Sequence, residues 1–381
     1  MLNFFKKKAQ AAEPLLAESS KKTRPVFHTL RVKDIRRETP DCVSVALEIP
    51  SDLKEAYKFI QGQYVTFKMS FDGEELRRSY SICSSPLEGE LRVAIKKVPD
   101  GRFSSFANEQ LQVGDKLETM TPEGNFWRTV QPESANNYVA FAAGSGITPV
   151  MSIIKTHLEL EPESTFQLFY GNKSSKSIIF KEAIEDLKDR YLNRLEVHHI
   201  LSREDQGTDW LKGRIDASKC QHFSGKFFDP KTVNAFFLCG PEEMIMGVKD
   251  TLSDLGAPKE NVLFELFTTP VGGGMAQKTA SKEAKTSDVL SHVTVILDGD
   301  ETHFDIATSG NSVLDAALEA GADVPFACKG AVCCTCRARV LEGAVEMDMN
   351  YALEEDELED GYILTCQSHP TTERVVISFD E

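Results

Sequence analysis

At about 150 residues per domain, 381 residues make two to three domains, and 41% apolar with 27% charged residues is the composition of a folded globular chain. No apolar run approaches the roughly 18 residues a membrane span needs, and Met1-Leu-Asn-Phe-Phe before Lys6 to Lys8 is wrongly ordered for a secretory leader, so a cytoplasmic protein with no membrane partner is expected. The net charge of −16 lies entirely after Ser287, where 20 acidic residues face 4 basic ones; with no basic patch anywhere, nucleic acid is not an expected partner.

Residues 1–24 lack periodicity and are expected to form a flexible arm. From 25 to 132, short β-rich segments recur between turn signals: Phe27 to Val32, Cys42 to Glu48, Tyr64 to Met69, Leu91 to Lys96 and Lys116 to Met120. That spacing predicts a small antiparallel β-barrel or sandwich. From 133 to 270 the pattern alternates. Strands are predicted near Tyr138 to Ala142, Phe166 to Tyr170, Leu195 to Ile200, Ala235 to Cys239 and Val262 to Phe267, with helices at Val150 to Leu160, Lys181 to Tyr191 and Glu242 to Leu255. Such βαβ alternation means a parallel sheet. Residues 271–287, with Gly272 to Gly274 followed by Ala, Lys, Thr and Ser, predict a linker. A third domain, 288–381, opens with a hairpin, His292 to Leu297 and Thr302 to Ile306, across Asp298-Gly-Asp300; Ser312 with Asp315 then resembles a capping box.

Five of the nine cysteines fall at or after Cys328. Cys328, Cys333 and Cys336 follow C-x4-C-x2-C spacing and Cys366 comes 29 residues later, the spacing of plant-type [2Fe-2S] ferredoxins. Zinc is the competing reading, but structural zinc sites usually pair two close knuckles, and the fourth thiol here is solitary. Cys334 is read as a small filler without a ligand role. Upstream, Arg78-Ser-Tyr80-Ser81 offers a cation, an aromatic wall and a hydroxyl, the three things a flavin site needs. Gly101-Arg-Phe-Ser104-Ser can present backbone N–H groups and a hydroxyl to a pyrophosphate at a helix start. Gly144-Ser-Gly146-Ile-Thr148-Pro149 follows a strand and opens a helix, with Pro149 read as its first residue; it departs from G-x-G-x-x-G at that proline.

In order, these motifs and Cys239-Gly240-Pro241 resemble the ferredoxin-NADP reductase superfamily, and 289–379 resembles the plant-type ferredoxins. The resemblance implies a multidomain fold: an antiparallel β-barrel flavin domain, an α/β parallel-sheet nicotinamide domain and an α+β (β-grasp) ferredoxin domain. It implies Arg78, Tyr80 and Ser81 at the flavin, Gly101 and Ser104 at its pyrophosphate, and Gly144, Gly146, Thr148, Gly240 and Pro241 around the nicotinamide dinucleotide. Cys239 would sit beside the nicotinamide ring, and Glu265 with Phe267 at the flavin edge. Ser202-Arg203 is similar to the pair that receives the 2′-phosphate of NADPH. Cys328, Cys333, Cys336 and Cys366 would be the iron ligands.

The implied cofactors are FAD, NADPH and a [2Fe-2S] cluster, with FMN and NADH left open because relatives of the same three-part order use them. The whole chain resembles the reductase subunits of ring-1,2-phenylacetyl-CoA epoxidases, including Asn350-Tyr-Ala-Leu353 and Gly361-Tyr-Ile-Leu-Thr-Cys366-Gln. That implies an NAD(P)H-dependent reductase in phenylacetate catabolism. Its electron acceptor would be a separate di-iron oxygenase, docking through the acidic ferredoxin domain. The competing readings are a reductase of another multicomponent oxygenase, and a redox sensor or electron carrier with a vestigial flavin half.

Overall fold

The computed structural model describes residues 25–267, 290–353 and 355–381. The expected arm (1–24), the expected linker (271–287) and Glu354 of the acidic run therefore lie outside the described residues. The chain forms two compact units that divide between Phe267 and Thr268.

The first unit opens with six antiparallel strands: β1 (Phe27–Thr39), β2 (Cys42–Glu48), β3 (Tyr64–Phe71), β4 (Glu74–Ser81), β5 (Leu91–Lys96) and β6 (Lys116–Met120). They lie in the order β4-β3-β6-β1-β2-β5, and a bridge from Ile82 to Val93 brings the two edges together. Closure leaves little free edge, which is how small antiparallel sheets avoid pairing with other chains. Register shifts in the long β1 let it bend around the barrel. Leu30, Val45, Val65, Phe67, Val93 and Ile95 fill the interior. The helix α1 (Arg102–Glu109) packs Phe103 against Phe67.

Five parallel strands follow: β7 (Asn137–Ala143), β8 (Thr165–Asn172), β9 (Leu195–Leu201), β10 (Ala235–Gly240) and β11 (Val262–Leu266), in the order β11-β10-β7-β8-β9. They are joined by α2 (Ile147–Leu160), α3 (Lys181–Arg190), α4 (Ala217–Ser224) and α5 (Glu242–Asp254). With helices covering it, β10 reads Ala-Phe-Phe-Leu-Cys-Gly, almost wholly buried, because both faces of a parallel strand must be apolar. The strand order reverses between β7 and β10, so the loops leaving those strands diverge and open a crevice at their carboxyl ends. The barrel is fastened to this sheet through α2. The Ser152 hydroxyl donates to the Ser84 carbonyl oxygen at 2.7 Å, and Ser85 Oγ meets Thr156 Oγ1 at 2.9 Å.

Arg78 to Ser81 follows β3 and its turn and forms the end of β4, so Arg78 and Tyr80 face one side and Ser81 the other. One local expectation is adjusted. Helix α2 begins at Ile147, with Gly144–Gly146 forming a 3-10 turn before it, so Pro149 is its third residue. A proline is tolerated there because the first four N–H groups of a helix have no intrahelical partner anyway.

The second unit carries a five-stranded sheet in the order β13-β12-β18-β14-β16. Its strands are β12 (Leu290–Leu297), β13 (Asp300–Ala307), β14 (Arg337–Glu342), β16 (Tyr362–Leu364) and β18 (Arg374–Ser378), and β15 (Val345–Met347) pairs separately with β17 (Ser368–Pro370). Across this sheet lies α6 (Val313–Glu319), whose N-cap Ser312 accepts the Asp315 N–H. The expected box is completed differently: the Ser312 hydroxyl donates to the Asp315 carboxylate. A short helix, α7 (Glu355–Glu359), precedes β16. Val293, Val295, Leu314, Ala317, Leu364, Val375 and Ile377 form the core.

Candidate functional site

Three strands of the first unit converge on one point. Cys239, at the end of β10, lies in register with Glu265 on β11, and the Ser81 hydroxyl at the end of β4 donates to Glu265 Oε2 at 2.9 Å. Barrel and parallel sheet thus each contribute a side chain; Ser81 and Cys239 are buried and Glu265 is partly so. Desolvation pushes the Glu265 carboxyl up to about 8, against the Ser81 hydroxyl, which pulls it the other way. Burial, then the neighbouring Glu265, pushes the Cys239 thiol far up, so it is a neutral, compact wall and not a nucleophile. Tyr80 packs its ring 5.6 Å from Phe103 and 5.9 Å from Phe67, and burial holds its phenol protonated. Arg78 is exposed, and its guanidinium donates to the Arg77 carbonyl oxygen at 2.7 Å. Phe267, just past β11, is more than a third exposed, high for a phenylalanine.

Beside this point, the turn after β7 presses against the end of β10. A Cβ at Gly146 would lie 2.0 Å from the Cys239 carbonyl oxygen, and Gly144 has φ +56°, so glycine is required at both positions. The Thr148 hydroxyl donates to the Ser145 carbonyl oxygen at 3.0 Å and Tyr170 donates to the Gly144 carbonyl oxygen at 2.9 Å, which together pin the turn. No side chain caps the start of α1, α2 or α5, the last preceded by Gly240 and Pro241. Uncapped first turns leave N–H groups and a positive dipole end for phosphate. Ser104 is buried: its hydroxyl accepts the Val98 N–H and donates to the Gly101 carbonyl oxygen, closing its own loop, so what α1 presents outward is backbone. Ser202 and Arg203 follow β9, where their N–H groups donate to the carbonyl oxygens of Asn172 and Lys173. Arg203 and Lys173 are both exposed, two cations side by side at the sheet's carboxyl edge.

In the second unit the four thiols come together in twos. Cys333 is pulled down to about 6, first by the Cys328 thiol donating to it, and Cys366 is lowered first by the Cys336 thiol. The partner in each pair is correspondingly raised. Backbone and side chain converge on the same sulfurs: Gly330 N–H on Cys328 Sγ at 3.3 Å, Thr335 on Cys333, and Gln367 Nε2 on Cys366 Sγ at 3.6 Å. Two thiol pairs, Cys328 with Cys333 and Cys336 with Cys366, suit a two-iron core. Cys334 turns away and donates to the Ala352 carbonyl oxygen at 3.2 Å. Thr335 and Gln367 carried no recognisable signal beyond lying next to a cysteine, because their role depends on which way the loop folds.

Three family matches coincide with these sites: an oxidoreductase FAD-binding domain over residues 29–127, an oxidoreductase NAD-binding domain over 141–250, and a 2Fe-2S iron-sulfur cluster binding domain over 295–371. Over 354 residues the chain is 45% identical to one of the subunits of 1,2-phenylacetyl-CoA epoxidase of Escherichia coli (strain K12), spanning 93% of this chain and 98% of that one. The chain belongs to the flavin iron-sulfur oxidoreductases that serve as oxygenase reductase components. It is also 32% identical to the ferredoxin reductase component of 3-ketosteroid-9-alpha-monooxygenase from Mycobacterium tuberculosis (strain CDC 1551 / Oshkosh), over 92% of this chain and 96% of that one. Among solved structures, phthalate dioxygenase reductase has the same fold, with 21% identity, a TM-score of 0.55, and coverage of 93% and 98%. The reductase therefore uses FAD, a nicotinamide cofactor and a [2Fe-2S] cluster, and no helix among its described residues is long and apolar enough to cross a membrane.

Proposed function

We propose that this reductase carries electrons from NADPH to a separate di-iron oxygenase, the phenylacetyl-CoA 1,2-epoxidase of phenylacetate catabolism, in the cytoplasm. The oxygenase assignment leans on the 45% identity to one of the subunits of such an epoxidase, over 93% of this chain and 98% of that one. The observation that carries the chemistry is the Ser81–Glu265 hydrogen bond beside Cys239, which joins the barrel and the parallel sheet at the strand-order switch point. Bound flavin supplies the conversion of a two-electron hydride into single electrons, which the cluster accepts one at a time.

In this reading the chain's own residues bind, orient and exclude water. Arg78, Tyr80 and the α1 start with Gly101 and Ser104 hold the flavin; Ser81 and Glu265 fix its reactive edge, with Phe267 covering it. Gly144, Gly146, Thr148, Gly240 and Pro241 shape the dinucleotide crevice, and Cys239 forms the wall behind the nicotinamide. Cys328, Cys333, Cys336 and Cys366 bind iron. In the same reading the flavin domain would span 25–132, the nicotinamide domain 133–270 and the ferredoxin domain 288–381.

The preference for NADPH rests on Arg203, an exposed guanidinium able to bind a 2′-phosphate through two hydrogen bonds. A charge-assisted contact of about 1.5 to 3 kcal/mol corresponds to roughly 10- to 150-fold, so Arg203→Ala should weaken NADPH by that factor and spare NADH. Equal losses with both cofactors would remove the argument. The oxygenase assignment is tested by adding the purified protein and NADPH to purified epoxidase oxygenase and phenylacetyl-CoA. Epoxide formation coupled to NADPH oxidation supports it. Rapid NADPH oxidation with a dye acceptor but none with the oxygenase rejects that acceptor.

A further inference from the structure

Backbone N–H groups on the thiols, such as Gly330 on Cys328, cannot be retuned by substitution, whereas the side chains of Thr335 on Cys333 and Gln367 on Cys366 can. Gln367 reaches further. Its side chain is 7% exposed, and its one amide nitrogen lies 3.6 Å from Cys366 Sγ, 2.9 Å from the Cys366 carbonyl oxygen and 3.4 Å from the Lys329 carbonyl oxygen. Lys329 belongs to the loop that carries the other three thiols and sits in the left-handed region at φ +52°, as does the fully buried Ala331 at φ +62°. Neither is glycine, so that loop needs tethering to keep its shape. One carboxamide thus reaches both the remote fourth thiol and the loop of the first three. An N–H aimed at a thiolate sulfur in an apolar, water-poor setting favours the more negative, reduced state of whatever that thiolate binds.

We propose that Gln367 is a positioning residue for electron transfer that raises the reduction potential of the cluster through Nε2 donation to Cys366 Sγ. The inference rests on Cys366 being an iron ligand. The amide withdraws electron density from the sulfur, while its contact with the Lys329 carbonyl fixes the direction of the donor. One contribution to the potential therefore comes from a side chain, which a substitution can remove.

The test uses the full-length holoenzyme with Gln367→Met, which keeps the length and loses the donor, and Gln367→Glu, which replaces the donor with an acceptor. Iron and sulfide content and the visible spectrum are measured first, then the cluster is titrated against redox mediators with EPR detection, the flavin being followed in the same experiment. Both variants should load the cluster fully. At a fixed poise the reduced-to-oxidised ratio should fall about tenfold in Gln367→Met, equivalent to about 59 mV for one electron, and further in Gln367→Glu, with the flavin unmoved. Fully loaded variants at the wild-type potential would overturn the proposal. So would loss of iron from both, since the residue would then serve assembly and not the potential. Failure of the ligand assignment itself has a separate signature: Cys366→Ser with an unchanged cluster spectrum.

Discussion

At the scale of single residues, Glu265 is a partly buried carboxyl in register with the buried Cys239 thiol. Glu265 is crowded by protein atoms at the seam of barrel and sheet, and that desolvation raises it to about 8 against an ordinary value of 4.5. An acid whose folded value is raised binds a proton on folding. Its favourable state is complete below about pH 4.5 and is lost as pH rises through about 8. Flavin reduction by NADPH should therefore show a limb near pH 8, and stopped-flow rates of Glu265→Gln should lack it; persistence of the limb in that variant would assign it to another group. The thiols make a second residue-level prediction. Replacing Cys328, Cys333, Cys336 or Cys366 by Ser should abolish or cripple the cluster while NADPH still bleaches the flavin, because hydride transfer needs only the first unit. Cys334→Ser should be mild, its thiol being occupied by the Ala352 carbonyl. A bleached cluster in Cys334→Ser with an intact one in Cys333→Ser would reverse the assignment.

At the scale of elements, the packing of β7's exit turn on β10 decides whether a crevice exists. Gly146→Ala would put a methyl group within 2.0 Å of the Cys239 carbonyl oxygen, a backbone atom at the end of a central strand that cannot swing aside. Overpacking of this kind typically costs about 1 to 3 kcal/mol. The expected result is a lower thermal midpoint together with loss of nicotinamide affinity, measured by calorimetry and by NADPH titration, while the barrel's flavin is retained. Affinity within about twofold of wild type would mean that the turn relaxes. Here the motif was legible but its tolerance was not. The pattern Gly144-x-Gly146 suggests a close approach, and only the parallel register of β7 and β10 identifies the carbonyl that is approached.

Charge is a property of the whole molecule: 20 acidic against 4 basic residues after Ser287, and balance before it. In α7 and just beyond it, Glu355, Asp356, Glu359 and Asp360 are exposed, as is Leu358, whereas Glu357 is half-buried and ion-paired to Arg337 at 3.1 Å. Arg337 in turn stacks over Tyr362, on the strand leading to Cys366. So one acid of the run belongs to the fold, and in the proposed function the exposed ones would meet a basic surface on the oxygenase. Electrostatic steering of that kind accelerates encounter by about 10 to 10³ and fades as the Debye length falls to about 3 Å in 1 M salt. Electron delivery to the oxygenase should slow with salt and on changing the exposed acids to Gln and Asn. Flavin-to-cluster transfer should respond less, since one chain holds both centres at high local concentration. Indifference of oxygenase reduction to both treatments would make the run a solubility device.

The order of parts was readable from the chain because it is written in local chemistry. Alternation of strands, βαβ spacing, the glycine turn and the C-x4-C-x2-C loop are each set by neighbours within a few dozen residues. Arg78 to Ser81 is recognisable along the chain as a cation, an aromatic ring and a hydroxyl in a row, but its split into two faces required knowing that it forms β4. What only the tertiary structure decided are the contacts between distant residues. Ser81 and Glu265 are 184 positions apart, Thr365 hydrogen-bonds Cys336 across 29, and Gln367 reaches Lys329 across 38. Such pairings follow from strand order and loop closure, and a desolvation that raises one carboxyl or an amide that finds one sulfur exists only once those closures have removed water.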